Sequence, residues 1–358
     1  MGYNGEGHLD QRPMPDDGMR LQFTGSGGEY FRIWIVNLLL SIITLGIYSA
    51  WAKVRRTQYF YQHTLLDGSG FEYHGNPKAI LKGRAIAFAV LLAYNLAFKY
   101  SPLLGFGFML ILLAVVPWFV WKSMQFKLYN SSYRGIRFGF RGSNWLAYKM
   151  YLLLPLLSSF TFGLAGPFVH QRLKKFQHEE SRFGDTHFAF DATVGSFYKV
   201  YLIGFLVAVG GVFGIVMLFG SSVALLLVGG GKNMGGAAML PLILMIFCIY
   251  AWLFTIFPLF LTMMQNLIWN HTRLGPHQFF ADLKWGRMTF LVLTNLLGII
   301  FTFGLFMPFA KVRMLKYRVE SIAIKVEGGL DDFVATTQEH VSATSEGMAD
   351  FLDFDLSF

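Results

Sequence analysis

Apolar runs separated by short polar, glycine-containing segments dominate the chain. Uncharged stretches occur at 33–52, 101–121, 150–171, 200–231, 233–270 and 288–310. A helix that crosses a hydrocarbon core needs about 20 such residues, so the pattern predicts a bundle of membrane helices. Between the runs lie short alternating segments, such as Phe71-Glu72-Tyr73 and Phe188-Ala189-Phe190, and period-two alternation predicts strands with one aromatic face. Ser26, Asn76, Ser143 and Thr193 follow these segments, and their side chains suit them to accept hydrogen bonds from the free amides of a helix N-terminus. Pro77 fits a first helical position. Each segment therefore reads as strand, cap and helix, with an early Lys or Arg placed to reach the headgroup layer.

Composition strengthens the membrane reading. The 358 residues are 54% hydrophobic and 14% charged, against roughly 25% charged in soluble domains. This excludes a soluble enzyme, a secreted disulfide domain and a disordered chain. The single cysteine, Cys248, lies in an apolar run and reads as an inert thiol. Residues 1–28 lack the apolar centre of a signal peptide, so residues 1–20 are expected to be a disordered polar N-terminus.

The chain resembles itself. Phe71, Tyr73, Gly75 and Lys82 share their spacing with Phe138, Phe140, Gly142 and Lys149, and with Phe188, Phe190, Ala192 and Lys199. Looser copies begin at Leu21 and Phe279. The expected organisation is an integral membrane domain, 21–328, of five repeat units at 21–70, 71–137, 138–187, 188–278 and 279–328. Residues 327–358 hold eight acids and no Lys or Arg, so 329–358 is expected to be a mobile acidic tail. A second motif marks alternate units: Thr44-Leu45-Gly46, Thr161-Phe162-Gly163 and Thr302-Phe303-Gly304. Residues 37–56 and 295–314 agree at ten of twenty ungapped positions.

The run Thr44-Leu45-Gly46-Ile47-Tyr48-Ser49-Ala50-Trp51-Ala52-Lys53-Val54-Arg55 is preceded by Gly28-Glu29-Tyr30-Phe31 and echoed by Pro308-Phe309-Ala310-Lys311-Val312-Arg313. These residues resemble the YjgN family of bacterial inner-membrane proteins, over about 20–330. The resemblance implies a location, the bacterial inner membrane, and carries no catalytic residue.

Charge counting bears on topology. If each Thr-x-Gly run were one straight span, the cations would divide 12 against 18 across the membrane. If the chain turns back at each Thr-x-Gly, 28 of the 30 fall on one side, leaving Lys99 and Lys232 opposite. The second arrangement fits the positive-inside rule. Both termini are then cytoplasmic, and the expected fold is all-α and polytopic: five internally repeated helical hairpins with short cytoplasmic strands between them. The first, third and fifth hairpins are shallow, because 33–44 spans only about 18 Å of helix.

No apolar span contains Asp or Glu, and none holds Lys or Arg away from its ends, which speaks against a proton-coupled pump. The polar groups inside are Asn37, Asn95, Asn295, Thr44, Thr161, Thr302 and some serines, with Gly46, Gly163 and Gly304 at the turns. They read either as interhelical bonds and tight turns or as a polar site for an anion at broken helices. Lys53, Arg55, Arg56, Arg172, Lys311 and Arg313 lie just beyond and suit counter-charge or anionic lipid headgroups. The cluster His170, His178, Glu179, Glu180, Asp185 and His187 has no zinc-ligand spacing. No metal, cofactor or catalytic residue is expected.

Two functions follow from this reading. One is uncoupled or ion-coupled permeation of a small anionic solute; the other is a non-transporting scaffold that binds anionic lipid or protein partners through a basic cytoplasmic face. The expected partners are the bilayer and anionic phospholipid headgroups, with no nucleic acid, no named protein partner and no enzyme activity.

Overall fold

The computed structural model describes residues 18–228 and 239–328, together with 331, 333, 334, 337 and 338. The rest of the expected N-terminal segment, the turn at 229–233 with Lys232, and most of the acidic tail lie outside the described residues.

The chain opens with β1 (Met19–Arg20) and β2 (Gln22–Phe23), two halves of one extended segment, followed by α1 (Gly27–Ile43) and α2 (Ser49–Gln62). Next come β3 (Thr64–Leu66), β4 (Ser69–Tyr73), α3 (Pro77–Tyr100) and α4 (Pro102–Tyr129). β5 (Ser131–Tyr133) and β6 (Ile136–Phe140) lead into α5 (Asn144–Tyr148), a π turn at Lys149–Leu153, α6 (Leu154–Ser159) and α7 (Gly166–Glu179). β7 (Ser181–Phe183) and β8 (Thr186–Phe190) precede α8 (Val194–Val228) and α9 (Leu240–Asn270). β9 (Thr272–Leu274), β10 (His277–Ala281), α10 (Trp285–Phe301), α11 (Met307–Glu320) and β11 (Ile322–Lys325) complete the order.

All eleven strands join one antiparallel sheet, ordered β1-β11-β10-β9-β8-β7-β6-β5-β4-β3-β2. Its two outer strands, β1 and β2, are separated in sequence by Leu21 alone. Arg20 pairs with Ala323 on one side, and Gln22 pairs with Leu65 on the other. The sheet therefore curls into a near-closed barrel whose last gap, between β1 and β2, is bridged by Leu21, leaving little free edge. Asp67-Gly68 and Arg134-Gly135 turn two of the strand pairs with positive φ at both residues, the mirror-image turn that matches strand twist.

Register explains the alternating aromatics. Phe71 faces Tyr133, Phe138 faces Phe183, Phe188 faces Leu274 and Phe279 faces Ile324. With Leu21, Leu66 and Ile136 these side chains form one cluster that fills the barrel. Phe71 and Tyr133 rings lie 4.9 Å apart, Phe138 and Phe183 5.0 Å. Nearer the helices, Phe23, Tyr73, Phe140, Phe190 and Ala281 form a second buried layer. The small residue that follows is required by close approach: a Cβ on Gly75 would meet the Tyr73 ring within 2.5 Å, and one on Gly142 would meet Phe140 and Phe176 at 2.8 Å. At 281–283 the order is inverted, with small Ala281 followed by fully buried Leu283.

The described residues of the tail are helical and sit over the barrel's turn-side mouth. Phe333 and Val334 pack into the barrel cluster, Asp331 pairs with Arg134 at 2.5 Å, and Gln338 Nε2 donates to the Arg134 carbonyl at 2.9 Å.

The expectation of an all-α protein of five repeated helical hairpins is overturned. The sheet is the element that unites the chain, because segments of two to five residues pair in sequence round a ring. Four helices among the described residues are long and apolar enough to cross a membrane: α3, α4, α8 and α9. The α1/α2, α6/α7 and α10/α11 pairs consist of shorter helices. Every helix pair begins and ends at the same rim of the barrel, since strands precede α1, α3, α5, α8 and α10 and follow α2, α4, α7, α9 and α11. Beyond their own partners, helices pack on ring neighbours: α2 on α3, α4 on α5, α7 on α8, α9 on α10, and α11 on α1.

Candidate functional site

The expected caps are in place. Ser26 accepts from the Glu29 amide, Asn76 from Lys78, Ser143 from Leu146 and Thr193 from Ser196. The fifth helix entry uses a different device: the Tyr317 hydroxyl accepts from the Lys284 amide at 2.7 Å.

The three Thr-x-Gly segments are tight turns that satisfy themselves. Thr44 Oγ1 donates to the Leu40 carbonyl at 2.7 Å and accepts from the Tyr48 amide at 2.9 Å. Thr302 repeats this between Gly298 and Phe306 at the same two distances. Thr161 donates to Ser158 and accepts from Ala165. Gly46, Gly163 and Gly304 have positive φ, and so do the bulky residues before them: Leu45, Phe162 and Phe303, at about 50°. Each of those three stands at a tip and is 94%, 98% and 98% exposed, respectively. The α1/α2 and α10/α11 turns belong to neighbouring pairs, while Thr161 lies across the ring, separated from both by α3/α4 and α8/α9. The turns are therefore not brought together.

Asn37 and Asn295 are both buried but differ in partners. Asn295 Oδ1 accepts from Arg313 Nη1 at 2.8 Å, and its amide donates to the Ala310 carbonyl at 3.3 Å. Asn37 is 6% exposed and its Oδ1 has no partner. The aligned Arg55 instead donates to the Tyr48 hydroxyl at 3.3 Å. Arg172 lies over the Phe168 ring, 5.2 Å from its centre.

The remaining expected cations gather. Burial, then the charges of Arg84, Arg56 and Lys127, hold the Lys53 ammonium below the usual lysine range. Burial and Arg56 do the same for Lys311, and burial and Lys127 for Lys174. Six cations from α2, α3, α4, α7 and α11 are thus linked in series: Lys53 senses Arg84, Arg56 and Lys127, Lys311 senses Arg56, and Lys174 senses Lys127. None of the six is ion-paired with a described carboxylate. Arg84 also donates to Ser49 Oγ, tying α3 to the start of α2. Lys174 Nζ donates to Gln177 Oε1 at 3.3 Å. Sequence reasoning named Lys53, Arg56 and Lys311 but missed Arg84, Lys127 and Lys174. Their only signal was a position near helix ends that many cations share.

The histidine-acid stretch is dispersed. His170 Nδ1 lies 3.1 Å from the Tyr201 hydroxyl, and burial, then Lys174, push its pKa down to about 4. Glu179 pairs with Lys175, and Asp185 faces Arg141. A cleft of about 380 Å³ lies where the chain ends meet, lined by Arg20, Asp282, Lys284, Arg287, Tyr317 and Glu320.

Four apolar helices hung from one rim of a strand ring define the class: an integral membrane protein with a filled barrel-like sheet outside its spans. The chain belongs to the DUF898 family, described as bacterial protein of unknown function, which matches residues 18–351. It is similar to the inner membrane protein YjgN of Salmonella typhimurium, at 36% identity over 138 residues, 38% of this chain and 35% of that protein. YjgN of Escherichia coli K12 is 31% identical over 147 residues, 39% of this chain and 36% of that protein. The matched stretch thus spans about a third of these relatives' length, and the family resemblance read from the Thr-x-Gly and Ala-Lys-Val-Arg runs is borne out. No solved structure matches. The protein is an inner membrane protein, as its relatives are named.

Proposed function

We propose that this inner membrane protein captures anionic groups in the cation cluster of Lys53, Arg56, Arg84, Lys127, Lys174 and Lys311, as a non-transporting scaffold. The observation that carries the reading is a series of six cations from five helices, five of them exposed, without a described carboxylate among their partners. Exposed cations without a carboxylate partner leave a positive potential that favours an anion and that salt screens. Permeation fits less well: aromatic side chains fill the barrel, and each Thr hydroxyl is already spent within its own turn. In this reading the cluster faces the cytoplasmic leaflet, where the positive-inside rule puts cations.

The test is binding by the full chain in neutral detergent, with inorganic phosphate and dioleoylphosphatidylglycerol added separately. Wild type is expected to bind at least one. Replacing Lys53, Arg56 and Lys127 by Gln together lowers that affinity at least about tenfold, each lost charge near a phosphate being worth about 1 kcal/mol. Unchanged binding by the triple variant, with unchanged circular dichroism, refutes the reading.

A further inference from the structure

We infer that the anion held by the cation cluster is the headgroup of a phospholipid whose acyl chains remain in the bilayer, entering over the tips of the short helix pairs. This rests on the capture of anions proposed above and names the molecule that supplies the anion.

Access decides the matter. Toward the barrel the way is closed, because Phe71, Tyr133, Phe138, Phe183, Leu274 and Ile324 fill its interior. Val334 and Phe333 close the far mouth. Sideways, neighbouring helices pack on one another round the ring. Trp121 Nε1 of α4 donates to the Gly142 carbonyl at 2.5 Å, Trp285 Nε1 of α10 donates to Thr255 of α9 at 3.3 Å, and the Phe31 and Phe309 rings stack at 5.6 Å between α1 and α11.

Away from the barrel the ring is uneven. α1 and α10 have 17 residues each, about 25 Å of helix, whereas α3, α4, α8 and α9 have 24 to 35, about 36 Å or more. The α5, π-turn and α6 segment runs only from Asn144 to Ser159, so three sectors of the ring end short of the four long helices.

At each short end stands a bulky apolar residue, Leu45, Phe162 or Phe303, almost wholly exposed. Ile43, Phe160 and Phe301 beside them are exposed as well. All three tip residues take the left-handed backbone conformation, which a bulky side chain adopts with strain. A glycine would fit that conformation without cost, so the apolar side chain itself has a use, and contact with acyl chains supplies one. Each short pair packs beside one of the four long apolar helices, α2 on α3, α7 on α8 and α10 on α9. A lipid with its chains against the tips can turn its phosphate toward Lys53, Arg56 and Lys311, which α2 and α11 carry within three turns of the Thr-x-Gly bends. The six cations select an anionic headgroup over a zwitterionic one.

The experiment uses the full chain in neutral detergent and four probes: dioleoylphosphatidylglycerol, dioleoylphosphatidylcholine, inorganic phosphate, and glycerophosphoglycerol, the same headgroup without chains. Native mass spectrometry and thermal shift read binding. The expected result is retention of phosphatidylglycerol at least tenfold above each of the other three. A triple variant, Leu45→Ser, Phe162→Ser and Phe303→Ser, is expected to lower that retention at least fivefold while leaving the elution volume and circular dichroism unchanged. Glycerophosphoglycerol or phosphate binding as tightly as the lipid overturns the inference but leaves the capture of anions standing. Binding of none of the anionic probes overturns both. Undiminished lipid retention by the triple variant overturns entry over the tips.

Discussion

Replacing Phe183 by Ala tests whether the barrel interior is the stabilising core. Phe183 is 3% exposed, with ring centres 5.0 Å from Phe138, 6.3 Å from Tyr133 and 6.1 Å from Phe333. An aromatic side chain of this kind buries about 150–200 Å², which at about 25 cal/mol per Å² is about 4–5 kcal/mol. Measured losses for Phe→Ala in cores fall at about 3–5 kcal/mol, because the cavity relaxes only in part. For a chain of this length each kcal/mol moves the melting temperature by about 2–3 °C, so a drop of about 6–15 °C is expected. Tryptophan-fluorescence melting of the purified protein in neutral detergent reads it. Phe303→Ala is the matched control: the same deletion at a 98% exposed tip is expected to stay within about 0.5 kcal/mol. Equal melting temperatures for the two variants, or a loss below about 1 kcal/mol at Phe183, would refute the assignment of the core to the barrel.

Two further outcomes follow from particular side chains. Gly75→Ala puts a Cβ within 2.5 Å of the Tyr73 ring and is expected to cost about 1–3 kcal/mol by overpacking, read by the same melt; Gly46→Ala, at an open tip, leaves the Tyr73 contact untouched and separates overpacking from strain at positive φ. His170, with its pKa lowered from 6.5 to about 4, binds its proton less readily folded than unfolded. Stability is then fully present above about pH 6.5 and falls as pH drops toward 4. Unfolding curves at pH 7.5, 6, 5 and 4 are expected to show that decline, and His170→Gln to flatten it; an identical pH profile in the variant would rule the histidine out as its source.

What could be read from the sequence was what is local. The caps at Ser26, Asn76, Ser143 and Thr193, and the strands that carry Phe71, Phe138 and Phe188, depend on neighbours within a few residues. The first strand of each pair was missed, since Thr64–Leu66, Ser131–Tyr133, Ser181–Phe183 and Thr272–Leu274 have three residues each, too few for alternation to register. Their pairing reaches far, as in Phe71 with Tyr133, and only that pairing turns strands into a barrel. The cation cluster was half legible for the same reason, because Arg84 and Lys127 approach Lys53, and Lys174 approaches Lys127, only through tertiary packing. Even identical residues diverge. Asn295 holds Arg313, whose guanidinium lies over Phe306, while the hydroxyl of Tyr48, at the position matching Phe306, draws Arg55 away and leaves Asn37 Oδ1 without a donor.

Closure of the ring by its own ends couples the sheet to the proposed site. Most strand pairings join segments consecutive along the chain, but Arg20 must wait for Ala323, so the barrel closes only when both ends have been made. The entropic cost of joining distant ends grows slowly with separation, and helices already placed in a bilayer restrict it further. β11 follows directly after α11, which carries Lys311 toward Arg56 of α2. The cluster is therefore complete only in the closed ring. Closure brings Lys311 within reach of the Arg56 charge, a repulsion that an anion between α2 and α11 would offset. An anion bound there favours the closed ring over the open chain by mass action, so a headgroup in the cluster would act as the last fastening of the fold as well as its ligand.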